Sequence, residues 1–297
     1  MRVLLLGGSG QLGSELRATP LPRGVVLDAP PRASIDLRDV GALRRLVAAQ
    51  PWSVVIGAAA YTDVDRAERE EALAFAVNAD AAACLAAETA ARGIPFIYVS
   101  TDYVFDGRKG APYREDDAAG PLNAYGRSKL AGERRVAAAN ARHVVLRTAW
   151  LHSPHGANFV RGILRRAQRR EPLRIVADQR GCPTSARDLA QACLAIALRC
   201  AREPDGAGYG LYHFAGAGAA TRIEFAQAVV ERAARELGFV PPIEPIATAQ
   251  HPSAAARPAD SRLDCRAIEA AFGLTPRPWR DAVAETVDRL LAQQSVA

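Results

Sequence analysis

Tyr125 and Lys129 stand four residues apart within the segment Asn123–Asn140. On a helix that spacing puts both side chains on one face. Reduction of a ketone needs a proton donor beside a hydride donor, and a tyrosine can be that donor. Its ordinary pKa of about 10 is too high for easy ionisation at neutral pH. A shift of three units takes about 4 kcal/mol. One ammonium at ~4 Å supplies about that much at an effective dielectric near 20. A single lysine is therefore adequate in magnitude. Lys109 and Lys129 are the only lysines, and all other basic residues are arginine or histidine. Where a bare surface charge is served by arginine, a lysine points to a need for a compact ammonium. The competing reading is a solvated helix face, but about 0.05 such pairs are expected by chance at this composition.

Upstream, VSTDYVFDG runs from Val99 to Gly107 behind an apolar stretch. Polar residues at the C-terminal end of a strand occupy the crevice where open α/β sheets bind ligands. Thr101 there could hydrogen-bond and polarise a substrate carbonyl. The plainer alternative is a hydroxyl-capped turn closing the strand. Near the start, Gly7, Gly10 and Gly13 form GxxGxxG between a strand and a helix. The first glycine permits a tight turn, the second lets backbone approach a pyrophosphate, and the third lets helix pack on sheet. Pyrophosphate would sit on the exposed N–H groups of the helix start. Asp28 ends the next strand, where a carboxylate would hold a ribose 2′-hydroxyl, favouring NADH. Arg32 follows closely and could instead accept a 2′-phosphate, so NADH and NADPH both stay open. Asp36 and Leu37 would suit the adenine edge.

These residues need a scaffold. Continuous apolar runs predict strands at Val3–Leu6, Val25–Leu27, Val54–Ala58, Phe96–Val99 and His143–Leu146. Helical patterns lie between them at Gln11–Arg17, Val40–Ala49, Ala67–Arg92 and Ala124–Asn140. Strands of this kind separated by helices predict a parallel sheet covered on both faces, an α/β Rossmann-type doubly wound fold. Later helices are expected at Asn158–Arg169, Ser185–Cys200, Arg222–Leu237 and Arg280–Leu291, with a strand at Leu211–Phe214. Ala247–Pro258, rich in alanine and proline, reads as a loop. The expected organisation is a nucleotide domain over residues 1–150, to which about 178–215 return, and a smaller C-terminal lobe over 151–297 that binds substrate.

Composition narrows the class. The 297 residues are 49% hydrophobic and 24% charged, an ordinary globular balance. Net charge is +6, but the arginines are spread along the chain without an aromatic–basic module, so nucleic acid is not expected as a partner. The N-terminal apolar run is too short for a signal peptide and reads as a first buried strand. No apolar run reaches the ~20 residues of a membrane span. Cys84, Cys182, Cys193, Cys200 and Cys265 form no CxxC pair and are odd in number, which fits a reducing cytoplasm and argues against a disulfide framework or a zinc site.

Seven blocks carry a family resemblance: GGSGQLG at 7–13, AAAYTDVDRAE at 58–68, STDYVFDG at 100–107, PLNAYGRSKLAGE at 121–133, LRTAWL at 146–151, CPTSARDLA at 182–190 and RPADSRLD at 257–264. With these the chain resembles the extended short-chain dehydrogenase/reductases, and among them the dTDP-4-dehydrorhamnose reductases. The resemblance implies NADPH- or NADH-dependent reduction at C4 of dTDP-4-dehydro-L-rhamnose, giving dTDP-L-rhamnose, by a cytoplasmic monomer or homodimer. It implies that Tyr125 donates the proton, that Lys129 holds the nicotinamide ribose and depresses the tyrosine pKa, and that Thr101 completes the triad. Gly10, Gln11 and Leu12 would cradle pyrophosphate, with Asp28, Asp36 and Leu37 at the adenosine end. Ala60, Tyr61, Thr62 and Val99 would border the cofactor. Asp102 and Trp150 would touch the sugar, the indole face against its apolar side, unless Trp150 is ordinary core filling. Arg257 would meet the diphosphate. Some relatives hold a Mg²⁺ between subunits with glutamates. Glu15 is available for that, but Arg187 and Asp188 stand where those relatives place a glutamate, and an arginine does not attract a cation; no metal ligand is assigned. Two other readings remain: a different nucleotide-sugar oxidoreductase or epimerase, and a non-catalytic regulatory subunit like that of methionine adenosyltransferase. The intact Thr101, Tyr125 and Lys129 argue against the last.

Overall fold

The computed structural model describes residues 1–294. Strand β1 (Arg2–Leu6) runs through the glycine loop into α1 (Gln11–Ala18), followed by β2 (Val26–Asp28), α2 (Val40–Ala48) and β3 (Val54–Gly57). Helices α3 (Val64–Ala67) and α4 (Glu71–Phe75), a π-helical turn at Ala76–Asp80 and α5 (Ala81–Ala90) lead to β4 (Phe96–Thr101). Then come α6 (Ala124–Ala139), β5 (His143–Thr148), β6 (Leu151–His152), α7 (Phe159–Gln168), β7 (Leu173–Val176), β8 (Arg180–Gly181) and β9 (Thr184–Ser185). The chain continues through α8 (Ala186–Arg202), β10 (Gly210–His213), β11 (Ala220–Thr221), α9 (Arg222–Leu237), β12 (Ile243–Ile246), α10 (Arg266–Phe272) and α11 (Trp279–Gln294).

Six strands form one parallel sheet in the order β10-β5-β4-β3-β1-β2. Its central strands have no solvated face. Val3, Leu5, Val54, Ile56, Ile97 and Leu146 point to the side covered by α1 and α8, and Leu4, Val55, Phe96, Tyr98 and Val145 to the side covered by α2, α5 and α6. This burial is why the strands read as unbroken apolar runs rather than alternating ones. From β1 the chain first steps outward to β2 and then returns to β3 on the other side of β1. A crevice opens at that reversal, outside the C-terminal ends of β1 and β3, and ligands bind there in doubly wound Rossmann-type sheets.

A second cluster packs α7, α9 and α11 around Ile163, Phe225, Val229, Trp279 and Val283, next to the small parallel pair β7–β12. Each such side chain contributes roughly 1.5–3 kcal/mol by leaving water. The chain does not stay in this lobe. After β9 it returns through α8, which packs on α1, and β10, which pairs with β5 in the register Leu211↔Val145. The expected strand at Leu211–Phe214 is this β10, one residue earlier.

Two expectations need correction. The single helix expected over Ala67–Arg92 is interrupted: α3 ends at Ala67, and the run Glu71–Ala90 carries the π-turn at Ala76–Asp80. Within the π-turn lies Asn78, 1% exposed, whose side chain turns inward to other elements. Glu71–Ala90 is also long and apolar enough by composition to cross a membrane, although in this fold it packs on α2, α6 and the sheet. Strands β6, β7, β8, β9, β11 and β12 were not expected, because two to four residues are too few to show a period.

Candidate active site

The glycines of the loop are required by close approach. Gly7 has φ +93°, and a Cβ there would lie 2.5 Å from the Ala59 nitrogen. A Cβ at Gly13 would lie 2.0 Å from the Gly7 carbonyl oxygen. Gly10 caps α1 without a side chain, so the first N–H groups of the helix face the crevice uncapped. A phosphate suits that place. Leu12 contributes only backbone, since its side chain is in the core beside Leu16. The Gln11 carboxamide oxygen accepts a hydrogen bond from the Ser153 hydroxyl at 3.0 Å. Gly13→Ala should weaken dinucleotide binding by about tenfold or more and cost about 1–3 kcal/mol of stability through overpacking. Fluorescence titration with NADPH and a urea melt read the two effects; wild-type values in both would show that the loop can yield.

At the adenosine end, Asp28 is already engaged. Arg2 donates to its carboxylate from Nη2 at 2.8 Å and from Nε at 3.2 Å. Asp36 is exposed and holds Arg38 at 2.6 Å; the Arg38 guanidinium and backbone N–H keep its carboxyl down at about 2. Leu37 packs on the core under β1 and β3. Ala60, Tyr61 and Thr62 follow β3 at the sheet reversal. Asn78 ties this loop to α6. It accepts from the Tyr61 N–H at 2.8 Å and donates to the Tyr61 carbonyl at 3.1 Å and the Ser128 hydroxyl at 2.9 Å. Asn78 was missed from sequence; its one signal was an amide inside an alanine-rich helix.

Helix α6 begins under a cap in which Asn123 Oδ1 accepts from the Gly126 N–H at 2.8 Å. The cap sets Tyr125 on the first turn and Lys129 on the second. The Tyr125 hydroxyl reaches Thr101, the last residue of β4, and its ring meets Tyr103 edge-on at 5.8 Å. Thr101 serves the turn as well: it donates to Asp102 Oδ1 at 3.1 Å and accepts from the Tyr103 N–H at 3.2 Å. Lys129 is 1% exposed. Its ammonium donates to the Val99 carbonyl at 2.7 Å and lies 3.9 Å above the Tyr98 ring. Burial pulls its pKa down to about 7, opposed by Glu133. The expected depression of the Tyr125 pKa does not appear. Burial pushes the phenol above its ordinary value, Thr101 opposes, and Asp102 and Tyr103 add to the rise. The ammonium is spent on Val99 and Tyr98, so it does not govern the phenol.

Asp102 is buried, with Ser261 donating to Oδ2 at 2.6 Å. Burial pushes its carboxyl up to about 6, while Ser261, Arg222 and Thr101 oppose. Trp150 bends the chain between β5 and β6 with φ +43°, a left-handed conformation that costs a tryptophan about 1–3 kcal/mol. Its ring fills the space a Cβ at Gly181 would need, approaching to 2.4 Å. The Arg222 guanidinium lies 3.5 Å from the Trp150 ring centroid, so the indole face expected to meet a sugar carries a cation. Arg257, expected at a diphosphate, is paired with Asp65 at 2.7 Å. Arg222 was not singled out in the sequence, where an arginine opening a helix carries no distinguishing mark.

Glu15, Arg187 and Asp188 are each committed to ion pairs. Glu15 faces Arg289 at 2.9 Å and His155 at 3.2 Å, Arg187 pairs with Glu285, and Asp188 pairs with Arg277 at 2.7 Å. Among the described residues no three acidic, histidine or cysteine groups converge as a metal site. Thus Thr101, Asp102, Tyr125, Lys129, Val99 and Trp150 come together at the ends of β4 and β5, the glycine loop and residues 60–62 flank the reversal, and Asp28, Asp36 and Glu15 are committed to arginines.

The model of the RmlD substrate binding domain matches residues 1–292. The chain is 40% identical to a dTDP-4-dehydrorhamnose reductase of Sinorhizobium fredii, over 99% of both chains. It superposes on the crystal structure of a dTDP-4-dehydrorhamnose reductase from Clostridium acetobutylicum with a TM-score of 0.90 at 33% identity, covering 98% of this chain and 100% of that one. The Bacillus anthracis dTDP-4-dehydrorhamnose reductase, solved in complex with NADP, gives 0.88 at 30% identity, covering 97% and 99%.

Proposed function

The chain belongs to the RmlD substrate binding domain family, and from that premise we propose that it reduces dTDP-4-dehydro-L-rhamnose at C4 to dTDP-L-rhamnose. The observation that carries the reading is a family match over nearly the whole chain joined to a Thr101–Tyr125 contact at the mouth of a Rossmann-type crevice. The chain is an oxidoreductase acting on a C=O/CH–OH group. NADPH, when bound, supplies the hydride. Gly7, Gly10 and Gly13 shape its cradle, Gln11 and Leu12 add backbone donors, and Ala60–Thr62 and Val99 border it. NADP in the Bacillus anthracis relative favours NADPH, as does Asp28, whose carboxylate Arg2 has already engaged.

Tyr125 acts as the proton donor. A phenol with a raised pKa is held protonated, as a donor must be, and gives its proton to the carbonyl oxygen as C4 becomes tetrahedral. Thr101 orients that oxygen and steadies its growing charge. Lys129, anchored on the Val99 carbonyl, places one positive charge beneath the site. Asp102 lines the sugar side.

Loss of absorbance at 340 nm with dTDP-4-dehydro-L-rhamnose as acceptor tests the reaction and ranks NADPH against NADH. Formation of dTDP-L-rhamnose supports it; cofactor binding without turnover would point to another 4-keto sugar nucleotide. The pH profile tests the lysine. With its pKa near 7, Lys129 is charged below that value and neutral above it, so kcat should fall as pH rises through neutrality. A flat profile from pH ~6 to ~9 would remove the Lys129 charge from the mechanism.

A further inference from the structure

We infer that Arg222 is the principal ligand of the diphosphate in the nucleotide sugar, with Arg257 supporting it from the far side of Tyr103. The inference rests on the nucleotide-sugar reading above and names a residue that neither the sequence nor the family match singled out.

The geometry is that of a cation held ready for an anion. Arg222 opens α9 and lies half-buried, its guanidinium 3.5 Å over Trp150 and 5.4 Å from the centroid of Phe159. Stacking uses the flat face of a guanidinium and leaves its edge donors free. No ion pair meets that edge among the described residues, and the neighbouring groups are Tyr103, Asp102 and Arg257. Asp102 is occupied, its two oxygens accepting from Ser261 and Thr101. Arg257 has its own counter-ion in Asp65 at 2.7 Å. The Tyr103 side chain hydrogen-bonds to both arginines. Two guanidinium groups therefore sit about one phenol: Asp65 is ion-paired to Arg257, while Asp102 attracts Arg222 without forming an ion pair with it. Burying an unpaired charge beside a like charge is costly unless a ligand compensates it. A planar fork whose edge meets one phenol but, among the described residues, no carboxylate in ion-pair contact matches phosphate oxygens. Its position above Trp150, beside Asp102 and across Tyr103 from Tyr125, puts that anion on the substrate side of the site. The dinucleotide pyrophosphate belongs to the glycine loop instead.

Calorimetric titration with dTDP, thymidine and NADPH tests this. In Arg222→Met the dTDP Kd should rise about tenfold or more, with thymidine and NADPH affinities unchanged, and KM for the sugar nucleotide should rise in parallel. Arg257→Met, whose residue is shared with Asp65, should raise the dTDP Kd by less. If Arg222→Met does not fold, as NADPH affinity and circular dichroism will show, Arg222→Lys is decisive: it keeps the charge, loses the fork, and should weaken dTDP about threefold or more. Wild-type dTDP affinity in the variant that folds overturns the assignment, as does an equal loss for thymidine, or a larger loss in Arg257→Met. A wild-type protein that binds dTDP yet turns over no 4-keto sugar nucleotide would refute the reaction while leaving the subsite standing. One that does not bind dTDP would refute both.

Discussion

Tyr125→Phe should lower kcat for carbonyl reduction by about 10²-fold or more, the usual scale for losing a general acid, and leave NADPH affinity as it was. The substitution removes one oxygen and little else. The ring keeps its edge contact with Tyr103 at 5.8 Å. Thr101 keeps Asp102 and the Tyr103 N–H as partners, so its hydroxyl is not orphaned. The helix cap at Asn123 is untouched. A fall in kcat in a stable protein that still binds cofactor is therefore a statement about proton transfer. Undiminished kcat would move the donor to Thr101 or to water. Lys129→Arg makes a useful companion. The buried ammonium fits between the Val99 carbonyl and the Tyr98 ring, a space that a planar fork cannot share, so that variant should lose activity although it keeps the charge.

Arg147→Met should cost about 3–5 kcal/mol of stability, a large part of the ~5–15 kcal/mol typical of a folded domain. Arg147 and Glu133 are 4% and 5% exposed. They are joined by two hydrogen bonds, Nε to Oε1 at 2.9 Å and Nη2 to Oε2 at 2.7 Å. Ser100 also donates to Glu133, and the guanidinium lies 4.9 Å from the Phe105 centroid. Without the arginine, a carboxylate is stranded in the core. Arg147→Met with Glu133→Leu together should recover most of the loss, because neither charge is then left alone. Urea denaturation of the two variants reads this directly; a single-variant loss below about 1 kcal/mol would mean that water reaches the carboxylate. The pair also lies under the active site. In Arg147→Met a bare Glu133, still facing Lys129 one turn along α6, should move the fall of kcat with pH to higher pH.

The sheet was legible because its strands are buried on both faces, which leaves Val3–Leu6 and Val54–Ile56 apolar throughout. The glycine loop and the Tyr125–Lys129 pair were legible because each needs residue types fixed at short spacing. What stayed hidden depends on contacts distant in sequence. Arg2 lies 26 residues from Asp28, and nothing local says that this carboxylate is taken. Asn78, inside the π-turn, finds its partners on the β3 loop and on α6. Arg222 acquires its place by meeting Trp150, Tyr103 and Arg257 from other parts of the chain. The direction of the Tyr125 pKa shift was misjudged for the same reason: spacing put a lysine on the right face, but burial and the Val99 carbonyl decide where its charge is felt.

The return of the chain through α8 and β10 constrains how such enzymes exchange parts. A fragment ending near Ala149 would keep β1–β5 but lack β10, leaving the edge of β5 open to pairing with other chains. It would also expose the face of α1 that α8 covers. The later lobe is no more separable, since α9 and α11 share one core while α10, between them, packs on the main sheet. Recombination at a single junction therefore cannot graft a new substrate lobe onto this cofactor-binding half. Specificity in this architecture must drift by point changes at the seam, of which an arginine laid over Trp150 is an example.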